Sequence, residues 1–154
     1  LKEDFQATSI PGEFDLAVAV GVLHHMHETE RDGRYDAGVK CEMQPTFCRM
    51  HNALKPGGWL VIVEGFRQNV TQIARRFGIR GPGFLKMMQW NTKQMPEVWM
   101  SLCRDANLQN ISFDYYVPHC LRRLRPLLRN RVGNYLTTST YVIRAQRSAE
   151  KQPS

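Results

Sequence analysis

Two stretches of this chain are too apolar for a protein surface and too short for a typical helix, and they restrict the fold more than any other feature. Phe14 to Leu23 reads FDLAVAVGVL, and Trp59 to Val63 reads WLVIV. Neither alternates apolar with polar side chains, so both predict strands buried on both faces, as in a parallel sheet. Between them Pro45 opens a predicted helix, in which Phe47, Met50 and Leu54 recur at helical spacing until Lys55-Pro56-Gly57-Gly58 stops it. Pro-Gly suits the two central positions of a type II turn, where glycine supplies a positive φ. Strand, helix, turn and strand make a βαβ unit, whose crossover is almost always right-handed.

The rest of the chain continues the pattern. After Glu64 a stretch rich in Gly, Arg and Met runs to Met95, and Pro96 then starts a second predicted helix with Trp99, Leu102, Cys103 and Ala106 on one side. Asn107 suits a left-handed cap. Ile111, Phe113, Tyr115 and Val117 alternate as a strand does, and Thr137 to Ala145 is a further β-branched and aromatic run. The connection between these last two is too short for a comfortable helical crossover, which predicts an antiparallel pair joined by a decorated loop. The polar tail SAEKQPS is expected to be disordered.

At 154 residues the chain has the length of one domain. It opens on Leu1 and a loop-like segment, and is read as cut upstream. No apolar run approaches the roughly 20 residues needed to cross a bilayer, so stable membrane insertion is not expected. Cys41, Cys48, Cys103 and Cys120 form no C-x-x-C pair, and read as reduced, partly buried thiols of a cytoplasmic protein. The formal net charge is +7, and after Asp114 the only carboxylate side chain is Glu150. Such a basic C-terminal third suits an anionic ligand, a phospholipid surface or nucleic acid, or else is a solvated arginine-rich face.

FDLAVAVGVLHH followed by NALKPGGWLVIVEG resembles the fourth and fifth strands of the class I, Rossmann-like S-adenosylmethionine-dependent methyltransferases, with the LKPGG turn between them. PEVWMSLCRDANLQNISFDYYV resembles that family's penultimate helix and strand, and TTSTYVIRAQR its last, antiparallel strand. The resemblance implies an α/β fold with sheet order 3-2-1-4-5-7-6, of which this chain supplies the C-terminal half, strands 4, 5, 7 and 6, with strand 7 antiparallel. Residues 1–147 would then be a partial methyltransferase domain lacking the N-terminal cofactor-binding strands, and 148–154 a tail. The glycine-rich loop and the ribose-binding acid of that family belong to strands 1 to 3. Gly78, Gly81 and Gly83 fall after the fifth strand and do not replace them.

The resemblance also assigns residues. Asp4 and Phe5 stand where the family places an acid and its neighbour against the adenine of S-adenosyl-L-methionine, although an exposed loop acid explains Asp4 as well. Val20 and Gly21 end strand 4, where a backbone carbonyl meets the methionine end of the cofactor. His25, more than His24, would face the sulfonium and acceptor, and a neutral imidazole there can take a proton near neutral pH. A packing histidine is the rival explanation. His27, Glu28 and Glu30 read as a charged loop and not as metal ligands, so no metal is assigned.

The connections His27 to Gln44, Phe66 to Met95 and His119 to Leu136 would converge as the acceptor pocket, with Tyr35, Phe66, Phe77, Phe84 and Trp90 as apolar wall. In the third of them, LRRLRPLLRNR sets Arg122, Arg123, Arg125, Arg129 and Arg131 among leucines, which suits an anionic acceptor or an anionic lipid surface. The function so implied is methyl transfer from S-adenosylmethionine to a small-molecule or lipid acceptor in the intact protein, the present chain alone being inactive. The alternative is a non-catalytic basic module binding membrane or RNA, with nucleic acid disfavoured. Self-association is expected through the edge of the strand at Phe14 to Leu23, where strand 1 of the family lies.

Overall fold

The structure, a computed structural model, describes residues 12–23, 26, 37–65, 78, 95–117, 119–136 and 140–149. Their centre is a four-stranded mixed sheet of β1 (Phe14–Val20), β2 (Leu54–Gly65), β3 (Leu108–Tyr115) and β4 (Thr140–Arg147), in the order β1-β2-β4-β3. β1 and β2 are parallel, with Val18 beside Val61 and Val20 beside Val63. β4 inserts antiparallel to both of its neighbours, setting Val142 opposite Val63 and Ile143 opposite Phe113. This is the order and polarity expected for strands 4, 5, 7 and 6.

Helix α1 (Ala37–Ala53) joins β1 to β2, and α2 (Pro96–Asp105) precedes β3. Pro45 does not open α1 but lies inside it. A proline there removes one helical hydrogen bond and crowds the preceding turn, at a cost of about 3 kcal/mol. Pro45 faces solvent, and the cost is offset by the opposite side of the helix, where Met43 and Phe47 are fully buried in the core. Pro96 does open α2, and Asn107 closes it at φ 60, both as expected.

The strands extend beyond their sequence signals. β2 begins at Leu54, which pairs with Phe14, and passes over Gly57, whose φ of 81° is the positive value the Pro-Gly turn requires. β3 starts at Leu108 rather than Ile111, and Asn110 adopts φ 49° where the register shifts between Gln109 and Ser112. An extra residue of this kind breaks strict alternation. β4 is described at Thr140–Arg147, running past the predicted end at Ala145; residues 137–139 lie outside the described set, as do residues 150–154 of the predicted tail.

Both helices cover one face of the sheet. There Ala19, Leu60, Ile62, Tyr141, Ile143 and Ala145 meet α1 and α2, and Phe47 stacks on Trp99 with ring centroids 6.0 Å apart. Cys103 sits in this core, where burial pushes its thiol up to about 12, so it remains an unreactive thiol at physiological pH. Cys41, Cys48 and Cys103 are all free.

The other face corrects the expectation that β1 is buried on both sides. Leu16, Val18 and Val20 are 54%, 55% and 59% exposed, and Trp59 beside Leu16 is exposed too. Alternation along β1 puts these side chains on the face opposite Ala19, and among the described residues both long helices pack on the Ala19 side. Among the described residues β1 also ends the sheet, with a neighbour on one edge only. An apolar strand edge of this kind recruits further strands.

The purified 154-residue chain is therefore expected to self-associate at micromolar concentration. Val18→Lys combined with Val20→Lys should return it to the monomer mass in light scattering, since charge on an edge strand blocks pairing. A wild-type chain that scatters as a monomer would show that the β1 edge and face are already protected.

Candidate functional site

Because β1 and β2 run parallel, their carboxyl ends emerge at the same rim of the sheet, the rim where open α/β sheets bind ligands. The ladder continues one residue beyond β1, where the Gly21 amide donates to the Val63 carbonyl at 2.8 Å. Gly21 then turns the chain at φ 60°, a left-handed conformation that costs other residues roughly 1–2 kcal/mol. Among the described residues a Cβ built on Gly21 would meet nothing within 4 Å, so the backbone is open on the side they define.

The turn brings Leu23 inward to full burial, and its amide donates to the Glu64 carboxylate at 2.9 Å. Glu64 itself is 2% exposed and stands beside Tyr141 across the β2–β4 ladder. A carboxylate taken out of water in this way is tolerable only where hydrogen bonds replace its hydration. Burial, reinforced by the Glu64 charge, raises the Tyr141 phenol far above its usual range, so it stays protonated. Glu64 thus ties the carboxyl end of β2 to the backbone just past β1. One turn further on, the Met26 amide donates to the Leu23 carbonyl at 3.3 Å, and Met26 packs against the core.

A second tie lies between β3 and β4. The side chain of Asn134, fully buried, donates through Nδ2 to the Tyr116 carbonyl at 3.1 Å and to the Thr140 carbonyl at 2.6 Å. It joins the residue just past the end of β3 to the residue that begins β4. The chain between them forms a 3-10 turn (His119–Leu124), α3 (Arg125–Leu128) and α4 (Arg131–Leu136).

Of the residues assigned from sequence, Val20 and Gly21 are found at the rim, both exposed. Asp4, Phe5, His24 and His25 lie outside the described residues, as do His27, Glu28, Glu30, Tyr35, Phe66, Phe77, Phe84 and Trp90. Arg122, Arg123, Arg125, Arg129 and Arg131 are described and exposed. Glu64, Tyr141 and Asn134 escaped sequence reasoning. A lone carboxylate ending the apolar run WLVIV marks Glu64, but nothing local distinguishes Asn134 from an ordinary loop asparagine.

No protein-family model matches the chain, and no curated protein sequence does. Solved structures do match. Human N-acetylserotonin methyltransferase in complex with S-adenosylmethionine superposes with a TM-score of 0.52 at 18% identity, over 96% of this chain and 33% of that one. A methyltransferase from Archaeoglobus fulgidus gives 0.56 at 12% identity, over 95% of this chain and 66% of its own. Phosphoethanolamine N-methyltransferase 2 from Haemonchus contortus, in complex with phosphomonomethylethanolamine and S-adenosylhomocysteine, gives 0.53 at 12%, over 94% and 36%. The chain therefore has the fold of the class I S-adenosylmethionine-dependent methyltransferases, and spans between 33% and 66% of the length of these three proteins. Among the described residues no helix is long and apolar enough to cross a membrane.

Among the described residues Gly21 offers exposed backbone with open space beside it, which is what close approach of a ligand requires.

Glu64→Ala should remove the acceptor for Leu23, destabilise the fold by about 1–3 kcal/mol and speed hydrogen exchange at the Leu23 amide. Glu64→Gln, which keeps an oxygen acceptor, should recover most of both. Denaturant melts with amide exchange measure the pair, and equal exchange in all three proteins would remove Glu64 from this role.

Proposed function

We propose that this chain is the C-terminal half of an S-adenosylmethionine-dependent methyltransferase domain, acting in the intact protein on a small-molecule or lipid acceptor. The observation that carries the reading is the rim of β1 and β2, where a left-handed Gly21 and the Glu64 tie hold an open backbone at the carboxyl ends of two parallel strands. The likeness in fold to methyltransferases, two of the three solved with S-adenosylmethionine or S-adenosylhomocysteine bound, supports it. The cofactor supplies a methyl group activated on a sulfonium centre.

In this reading Val20 and Gly21 receive the methionine end of the cofactor, while Asp4 and Phe5 hold the adenine. His25 takes the proton of the acceptor as a neutral imidazole. Holding acceptor and methyl in line supplies much of the rate without a base, so His25 adds to a reaction that positioning already favours. The glycine-rich loop and the acid that grips the ribose come from family strands 1 to 3, which lie beyond this chain in the intact domain.

Two measurements test the proposal. Titration calorimetry of the 154-residue chain should give millimolar or weaker affinity for S-adenosylmethionine, because few contacts remain to offset the entropy of immobilising it. Micromolar binding by a monodisperse chain would mean that the site is complete without strands 1 to 3. In a protein that includes those strands, His25→Ala should lower kcat by about 10²-fold or more with cofactor affinity little changed, as loss of general-base catalysis does. Unchanged turnover would assign His25 to packing.

A further inference from the structure

The short helices between β3 and β4 carry a surface to which the methyl-transfer reading above assigns no residue. α3 and α4 are packed backbone to backbone, since a Cβ on Gly133 would meet the Leu128 Cα at 2.5 Å. Asn130 clamps the turn between them, donating through Nδ2 to the Leu127 carbonyl at 2.6 Å and accepting the Gly133 amide through Oδ1 at 2.8 Å. Asn134 fixes the base to the sheet, as described above. Arg129 fixes the flank through two hydrogen bonds to Asp114 of β3, at 2.6 and 2.5 Å, which hold the Asp114 carboxyl below its usual range. This helical pair is therefore a built element, its backbone held by Arg129, Asn130 and Asn134.

What it presents is unusual for a wet surface. Leu127 and Val132 are 72% and 67% exposed, and Leu124 is 47% exposed. Leu124 and Leu127 are three residues apart at the start of a helical turn, on neighbouring positions of one side. Exposed Arg122, Arg123, Arg125 and Arg131 surround them in sequence, and no carboxylate side chain occurs from residue 115 to residue 149. Asp114, the nearest acid in sequence, is engaged by Arg129.

We propose that this element docks the protein on the surface of an anionic bilayer, with Leu124, Leu127 and Val132 entering the headgroup boundary and the four arginines meeting lipid phosphates. Interfacial binding adds buried apolar area to attraction for anionic lipid, and the two occur here on the same short helices. A nucleic acid would account for the arginines and leave the aliphatic side chains without a role, since single strands are held by stacking on aromatic rings. The proposal does not depend on the methyl-transfer reading, and its test involves no cofactor.

The test is flotation of the 154-residue chain with vesicles, which separates bound protein from any self-associated material. Each arginine near an anionic surface raises partitioning about fivefold. Vesicles with about one-third phosphatidylserine should therefore bind the chain roughly several hundredfold better than pure phosphatidylcholine at low salt. The preference should shrink as salt rises. Arg122→Gln, Arg123→Gln and Arg125→Gln together should remove most of that preference. Leu127→Ser with Val132→Ser should weaken binding about tenfold with the charge unchanged. All five positions are exposed, so circular dichroism of both variants should match the parent. Failure of the parent chain to float with anionic vesicles would overturn the proposal. So would flotation insensitive to Leu127→Ser and Val132→Ser, and so would a single-stranded RNA bound tightly by a chain that leaves vesicles alone.

Discussion

The structure depends on β2, which is paired parallel to β1 on one edge and antiparallel to β4 on the other. The parallel edge brings two carboxyl ends to one rim, and the antiparallel edge brings Tyr141 beside Glu64 at that same rim. A buried carboxylate thereby gains a position from which it reaches the Leu23 amide across the end of β1. Leu54, Leu60 and Ile62 are buried on the same strand, so the element that carries the charge is also the core's most continuous component. Desolvating a carboxylate is costly, and the hydrogen bond from the Leu23 amide together with the apolar burial of the rest of the strand offsets that cost.

Connectivity explains why the described residues build a core on one face. The chain moves across the sheet in one direction, from β1 to β2 and then past β4 to β3, and right-handed crossovers taken in one direction put their helices on the same side. α1 and α2 accordingly meet the same surface, that of Ala19, Ile62 and Ile143. Covering the Leu16, Val18 and Val20 side takes a crossover that starts near β1 and runs the other way. A reversal there is the topological switch point at which open α/β sheets hold their ligands. The open face, the open edge and the Gly21 turn are thus three consequences of one position in the sheet.

Polar ties do the positioning where apolar packing ends. Lys55 bridges to Asp15 between β2 and β1 at 2.9 Å, but both partners are exposed, and such pairs add little. The buried ties of Glu64 and Asn134 count for more, because removing either partner strands a desolvated group. They lie at the ends of strands, where the ladder stops supplying partners and the chain must turn.

Much of the fold was legible in the residues themselves. Two continuous apolar runs, the helical spacing between them, the Pro-Gly turn and the final β-branched run are local patterns, and each dictates its element whatever surrounds it. The strand order and the rim position of Val20 and Gly21 followed from the resemblance those patterns carry. Other features had no local signal. Pro45 lies inside α1, where buried Met43 and Phe47 on the opposite side of the helix anchor it to the core, and β3 runs back to Leu108 through a bulge at Asn110. Apolarity alone did not reveal that β1 keeps one face open, since the run FDLAVAVGVL reads the same whether one layer or two cover it. The reach from Glu64 to Leu23 spans 41 residues of chain. Sequence determined which segments become strands and helices, because backbone preference and hydrophobic period are properties of neighbours. Only the tertiary structure decided which buried polar groups meet and which face stays bare, because both depend on residues far apart in sequence being brought together.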